Sequence, residues 1–177
     1  NNMVCFIFSV GERTTELAAW SADYFGLKVV ILDGEELFTD KLKKMCQLSN
    51  GQECLRIDAD IILNEKVKDY IKLAQESDYI WTESYGWDWN RQDLLPISVH
   101  YYKPEALEIL EKNADKFRDN SRPERSLWCL PEFMGKKEHL KINAGLHGYG
   151  RKDLDRLKKI KEDRGQIYDW NYIRKIK

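Results

Sequence analysis

An excess of charge of either sign is missing from this sequence. Lysine and arginine number 29, and aspartate and glutamate 30, among 177 residues, for a formal net charge of −1. No net field draws such a chain to nucleic acid or to an anionic lipid surface. Paired cysteine motifs are missing too. Cys5, Cys46, Cys54 and Cys129 form no C-x-x-C, and their spacing fits neither a disulfide framework nor a zinc site. Three of the four stand in apolar surroundings, where free cysteine serves as a small core residue. A reducing, cytoplasmic location is therefore expected. No apolar run is long enough to cross a bilayer, and the N-terminal residues lack a signal-peptide pattern. There is no internal repeat, low-complexity tract or linker. Because the chain starts at Asn1, it is expected to be trimmed or to be one domain of a longer protein, whose other domains count among its partners.

What is present is an ordinary soluble composition, 42% hydrophobic and 33% charged. The length suits a single domain with a real core. Six tryptophans and nine tyrosines are generous for this length. They fill cores, and they also line sugar and nucleotide sites, because each joins an apolar face to a polar tip.

Apolar runs and helical periodicities alternate along the first half. "MVCFIFSV" (3–10) reads as a buried strand, and "GERTT" as a turn with Thr14 or Thr15 at a helix N-cap. "ELAAWSADYFG" follows as a helix stopped by Gly26, and "KVVILDG" (28–34) as a second strand. Thr39 and Asp40 open a helix carrying Leu42, Met45 and Cys46. "CLRIDADIIL" reads as one third strand, Asn64 as the next cap, and "DYIWTE" (78–83) as a fourth strand. This β-α alternation predicts an α/β fold, with a mainly parallel or mixed sheet covered by helices on both faces. The second half is less regular. "SYGWDWNRQDL" (84–94) reads as a polar, aromatic loop and "PISVHYY" (96–102) as a strand. Pro104 begins a helix, and Ser121 with Glu124 matches a capping box. "HLKIN" (139–143) is a late strand, "AGLHGYG" a glycine-rich loop and "RKDLDRLKKIKED" a basic amphipathic helix.

Ligands of such sheets bind beyond the carboxyl ends of the strands. Ser9-Val10-Gly11, Asp33 and the pair Asp58/Asp60 all fall there. Asp58 and Asp60 interrupt an otherwise apolar run, where an ionised carboxylate is costly unless paired or bound to a cation. Either they are solvated at a strand end, or they hold a hard divalent ion such as Mn²⁺ or Mg²⁺ against phosphates. His147, between glycines, could add an imidazole ligand. Arg151 and Lys152 follow it and could meet phosphate oxygens, or could simply begin a solvated helix.

With these motifs in order, the chain resembles a small glycosyltransferase of the GT-A fold, the nucleotide-diphospho-sugar transferase type. The resemblance is carried by a first strand ending in "SVGERTTEL", a second ending in "ILDG", "LRIDADIILNE" as the Asp-x-Asp segment and a late "LHGYG". It spans most of the chain and is strongest over 3–83. It implies a single domain, with a nucleotide-binding half over about 1–83 and an acceptor- and metal-completing half over about 84–177. It further implies that Ser9, Val10, Gly11 and Glu12 border the nucleotide, and that Asp33 bonds its base or ribose. Lys41 either touches the base or is a surface lysine. Asp58, facing the ribose and metal-bound water, joins Asp60 and His147 as the metal's protein environment, and Arg151 meets phosphate. The expected donor is a UDP-sugar, and the acceptor is a glycan or other hydroxyl.

A base that deprotonates the acceptor is a carboxylate in related inverting enzymes. Glu124 in "RPERSLW" matches, although Arg125 stands where a second acid is usual. Asp88, flanked by Trp87 and Trp89, is the other candidate. Two further enzyme classes fit less well. A haloacid-dehalogenase-type phosphatase wants its nucleophile near the chain start. A nucleotidyltransferase wants a glycine-rich basic loop after the first strand, and "SVGERTTE" is poor in glycine. The non-enzymatic alternative is a degenerate sugar-nucleotide-binding domain of a larger protein.

Overall fold

The computed structural model describes residues 3–34 and 36–148. The basic helix expected after Gly150, with Arg151 and Lys152, lies outside the described residues.

The apolar first run becomes β1 (Val4–Phe8). Its alternate side chains serve two layers, as strand pleating requires. Cys5 and Ile7 enter one core, with Ala18 and Ala22 of α1 (Thr15–Tyr24) and Val67, Tyr70 and Ile71 of α3 (Val67–Glu76). Phe6 and Phe8 enter the other, with Leu42 and Met45 of α2 (Phe38–Ser49) and Leu107 and Leu110 of α4 (Pro104–Asn113). Leu127 of the short α5 (Pro123–Trp128) completes the second layer. The helices thus cover both faces of the sheet, as expected.

β2 (Lys28–Leu32) and β3 (Cys54–Asp58) flank β1 in parallel. The expected single third strand is broken. β3 stops at Asp58, residues 59–60 turn, and β4 (Ile61–Leu63) begins anew. The expected loop over 84–94 is also largely strand. β5 runs Trp81–Asp88 and pairs with β6 (Asp93–Leu95) as a hairpin. The strand expected at 96–102 shrinks to β7 (His100–Tyr102). The late strand grows into β8 (Lys137–His147), absorbing most of the supposed glycine loop. Pairing across the sheet supplied the hydrogen bonds that extend β5 and β8, which no local pattern records.

The strand order is β2-β1-β3-β7-β5-β8-β4, with β6 attached to β5. β7 is antiparallel to both neighbours, β5 and β8 are parallel, and β4 is antiparallel to β8. β3 and β4 therefore sit four inter-strand steps apart, about 19 Å in a flat sheet. Three peptide steps from Asp58 to Ile61 span at most about 11 Å. The sheet must curl so that its far edge returns towards β3.

The curl needs close backbone approach. A Cβ on Gly86 would lie 2.6 Å from Ser98 Cβ and 2.9 Å from the Gly145 carbonyl oxygen. A Cβ on Gly145 would lie 2.6 Å from Ser98 Oγ and 3.1 Å from the Ile62 carbonyl oxygen. Alanine at either glycine is expected to destabilise the protein by about 1–3 kcal/mol through overpacking. Urea unfolding of Gly86→Ala and Gly145→Ala checks this, and a midpoint equal to that of the parent chain would contradict it.

Candidate active site

The loop after β1 is held by its own side chains. Ser9 Oγ donates to Glu12 Oε2 at 3.0 Å and accepts from Gly11 N at 3.0 Å, and Val10 N donates to the same Glu12 oxygen at 2.9 Å. Gly11 takes φ +91°, a region that favours glycine. Lys41 is not a surface lysine. It is 4% exposed, and its Nζ donates to the carbonyls of Ser9 at 2.5 Å and Gly34 at 2.8 Å. It ties the ends of β1 and β2 together. Thr14 Oγ1 donates to the Ala59 carbonyl at 2.7 Å, fastening the start of α1 to the Asp-x-Asp turn instead of capping the helix.

A cleft of about 280 Å³ opens here, lined by Ser9, Val10, Glu12, Lys41, Asp58 and Asp60 among others. Asp33 lies beyond this lining, exposed, with its Oδ1 accepting from Gly34 N at 2.8 Å.

Asp58, Asp60 and His147 do not converge as one preformed trio. Asp58 turns to Arg56, whose Nη1 is 3.1 Å from its Oδ1, although the Asp58 side chain keeps 59% of its surface exposed. Asp60 Oδ2 instead lies 3.4 Å from His147 Nε2, and His147 Nδ1 lies 3.6 Å from Asp88 Oδ1. Two pairings produce this contact. Ile61, next to Asp60, is opposite His147 in the β4–β8 ladder, and Asp88 is opposite His147 in the β5–β8 ladder. Gly148 N donates to the Asp60 carbonyl at 3.0 Å, which locks the junction.

The separation between Asp60 Oδ2 and His147 Nε2 suits neighbouring ligands around an ion with bonds of about 2.1 Å. A carboxylate on the other ring nitrogen is the usual orienting partner of a metal-binding histidine. Asp88 is 3% exposed. Burial alone would raise its carboxyl, but His147, the Asn90 N–H and Arg91 hold it below its ordinary value. So placed, it stands behind His147 in the closed sheet.

Glu124 proves to be something other than a helix cap. α5 starts at Pro123, whose ring presets the first turn, and the Ser121 capping box does not form. The Glu124 carboxylate pairs instead with Arg56 Nη2. Arg56 itself, 1% exposed, was not singled out among the candidate residues. The same signal that marked Asp58, a charge inside an apolar strand, marks it too. Its guanidinium sits 5.1 Å from the Phe8 ring centroid and 5.3 Å from that of Phe38, and its Nε donates to Tyr102 Oη at 3.0 Å. One buried cation therefore links Asp58 to Glu124. Burial works against its charge, but Tyr102 and Asp58 raise its pKa above the ordinary value.

Beyond Arg56 lies a second group that was not anticipated. His100 Nε2 is 2.9 Å from Glu83 Oε2 and 3.7 Å from Glu124 Oε1, and His139 Nε2 is 3.3 Å from Glu83 Oε1. Glu83, His100 and Glu124 offer ligand atoms within 4.8 Å of one another and could hold a metal ion. The hydrogen bonding favours a different state. Trp81 Nε1–H donates to His100 Nδ1 at 3.0 Å, so the neutral ring carries its proton on Nε2, facing Glu83. A metal on Nε2 would need the opposite tautomer and would leave the buried indole N–H facing a second donor. Burial pushes the His100 imidazole below its ordinary range, against the pull of Glu83.

No family model matches this sequence, and no curated protein matches it. The fold is shared with solved structures. One is a glycosyltransferase involved in glycosylation of the major capsid of PBCV-1, with TM-score 0.61 and 12% identity over 90% of this chain and 99% of that one. Another is the 4-diphosphocytidyl-2C-methyl-D-erythritol synthase of Anaerococcus prevotii, with TM-score 0.55 and 8% identity over 84% of this chain and 88% of that one. A third is the apo form of the glycosyltransferase GlyE of Streptococcus pneumoniae, with TM-score 0.52 and 11% identity over 98% of this chain and 62% of that one. The chain therefore has the GT-A-like fold of nucleotide-diphospho-sugar transferases. No helix among the described residues is long and apolar enough to cross a membrane.

Burial alone would raise the Glu83 carboxyl, but His100 and His139 outweigh it and bring it down to about 2 from an ordinary 4.5. A carboxyl lowered in the folded state contributes stability above its unfolded pKa and loses it as pH falls through the folded one. Urea midpoints of the parent chain and Glu83→Gln should therefore converge as pH falls from about 4.5 towards 2. A gap that persists unchanged at pH 2 would contradict the assignment.

Proposed function

We propose that this chain is a metal-dependent glycosyltransferase that moves a sugar from a nucleoside-diphosphate sugar, foremost a UDP-sugar, to an acceptor hydroxyl. The observation that carries the reading is the meeting of Asp60, which lines the strand-end cleft, with His147, beside Asp88.

The cavities form a sequence. Asp58 lines both the cleft beside Ser9–Glu12 and a neighbouring hollow of about 350 Å³. Glu124 lines that hollow and a third cavity of about 500 Å³ beyond it. The nucleotide fits the first space, bordered by the backbone of Ser9, Val10 and Gly11. The donor sugar fits the second, and the acceptor reaches it past Glu124.

Asp60 and His147 would hold a Mn²⁺ or Mg²⁺ ion, which would neutralise charge on the departing diphosphate. Asp88, with its Oδ1 3.6 Å from His147 Nδ1, would help keep Nε2 turned to the ion. Asp58, more than half exposed, faces the ribose side. Glu124 takes the acceptor proton as that oxygen bonds to the sugar carbon and the carbon–phosphate-oxygen bond breaks. Arg56 is a positioning residue, holding Glu124 and Asp58 at a set separation. Lys41 shapes the nucleotide loop from beneath. A nucleotidyl transfer reading shares the fold, but the loop after β1, with one glycine, is a poor phosphate cradle.

A thermal-shift series with UDP and Mn²⁺ tests the metal assignment. Ligand at about 100 times its Kd stabilises the native state by about 2.7 kcal/mol. Asp60→Ala and His147→Ala should each abolish the Mn²⁺-dependent part of that shift while unfolding cooperatively. An unchanged shift in Asp60→Ala would sink the metal assignment. Glu124→Gln should keep the shift and lose about 10²–10⁴-fold in Mn²⁺-dependent turnover of the UDP-sugar. A parent chain that shows the shift but turns over no donor would instead be a sugar-nucleotide-binding domain.

A further inference from the structure

Strand registers align one polar row across four strands. Arg56 of β3 is opposite His100 of β7, His100 is opposite Glu83 of β5, and Glu83 is opposite His139 of β8. The row lies on the face that buries Trp81 and Tyr102, where an apolar row is the ordinary choice. Glu124 leans over it from α5. Folding does not call for this row, because apolar residues of similar volume commonly stabilise a core as well or better. Its members are hydrogen-bonded and held in set orientations, which is the preparation a polar ligand requires.

Glu83, His100 and His139 of this row form part of the wall of the cavity of about 500 Å³ beyond Glu124, together with Trp128 and Ile97. Carboxylates, imidazoles and an indole in one concave space suit a saccharide, which alternates hydroxyls with C–H patches. Its charge is unbalanced. Glu83 is flanked by two imidazoles and Glu124 pairs with Arg56, which it shares with Asp58, while Arg122, Arg125 and Lys137 also line the cavity. Among the described residues, the side chains of Arg122, Arg125 and Lys137 form no ion pair.

We propose that this cavity binds the acceptor, and that the acceptor is a saccharide carrying an acid group, with the acid at Arg122 and Arg125 and the hydroxyls against Glu83, His139 and Glu124. The assignment of the occupant as acceptor rests on the glycosyl-transfer reading through Glu124. Arg122 and Arg125 also line the Asp58 hollow, so the donor's phosphates are the competing use for them.

Saturation-transfer NMR on the full chain separates these uses, with D-glucuronate, D-glucose 6-phosphate and D-glucose as probes. Both acid sugars should bind at least about tenfold more tightly than glucose. Whichever of the two is stronger identifies the acid as carboxylate or phosphate. Arg122→Gln/Arg125→Gln, altered only at exposed side chains, should erase the preference and leave the UDP–Mn²⁺ thermal shift within twofold in apparent Kd. Equal binding of all three probes, or no binding, overturns the proposal. So does a double variant that weakens UDP and spares glucuronate. Acid-sugar binding without any UDP–Mn²⁺ shift would leave the cavity standing as an acid-sugar site and remove the glycosyl-transfer reading instead.

Discussion

Two strands separated in the sheet by three others are joined in the chain by two residues. That connection, Ala59–Asp60, can close only if the sheet curls. The curl delivers the far edge, β8 and β4, to the end of β3. Asp60 and His147 meet because the antiparallel ladder puts His147 opposite Ile61, and Asp88 joins because β5 runs beside β8. Gly86, Gly145 and Ser98 are the places where the backbones come close enough to allow it. The candidate metal pair is thus a consequence of sheet closure, not of any one loop.

The two faces of the sheet divide the work. One core, around Cys5, Ile7, Leu55, Ile57 and Tyr70, is apolar almost throughout and needs no functional explanation. The other holds Phe6, Phe8, Trp81 and Tyr102 but also admits Arg56, His100 and Glu83. A buried guanidinium is costly to desolvate. Here it is offset by two carboxylates, a phenol oxygen and two aromatic rings, and the result is one cation that couples Asp58 to Glu124. The second face gives up uniform packing for a fixed arrangement of charges along the groove.

Much of the scaffold was legible in the residues. The run 3–10, the helix stopped at Gly26 and the strand 28–34 announced the α/β order, because apolar periodicity and glycine stops act locally. Asp58 and Asp60 were marked by their charge within an apolar run. Arg56 carried the same mark. Glu124 is no cap because Pro123 sets the helix start, and Lys41 is fixed beneath the loop by burial that comes from distant residues. The hairpin over 81–95 and the length of β8 were invisible, since their hydrogen bonds come from strands distant in sequence.

The sequence by itself determined the class of fold, the free and buried state of Cys5, Cys46 and Cys54, and the acidic pair at a strand end, because each depends on composition or on neighbours within a few residues. Only the tertiary structure decided which acid meets His147, that Asp88 lies beside it, and that Arg56, His100, Glu83 and His139 form one row. Those relations are set by strand register and sheet curl, and register joins residues that no local pattern connects.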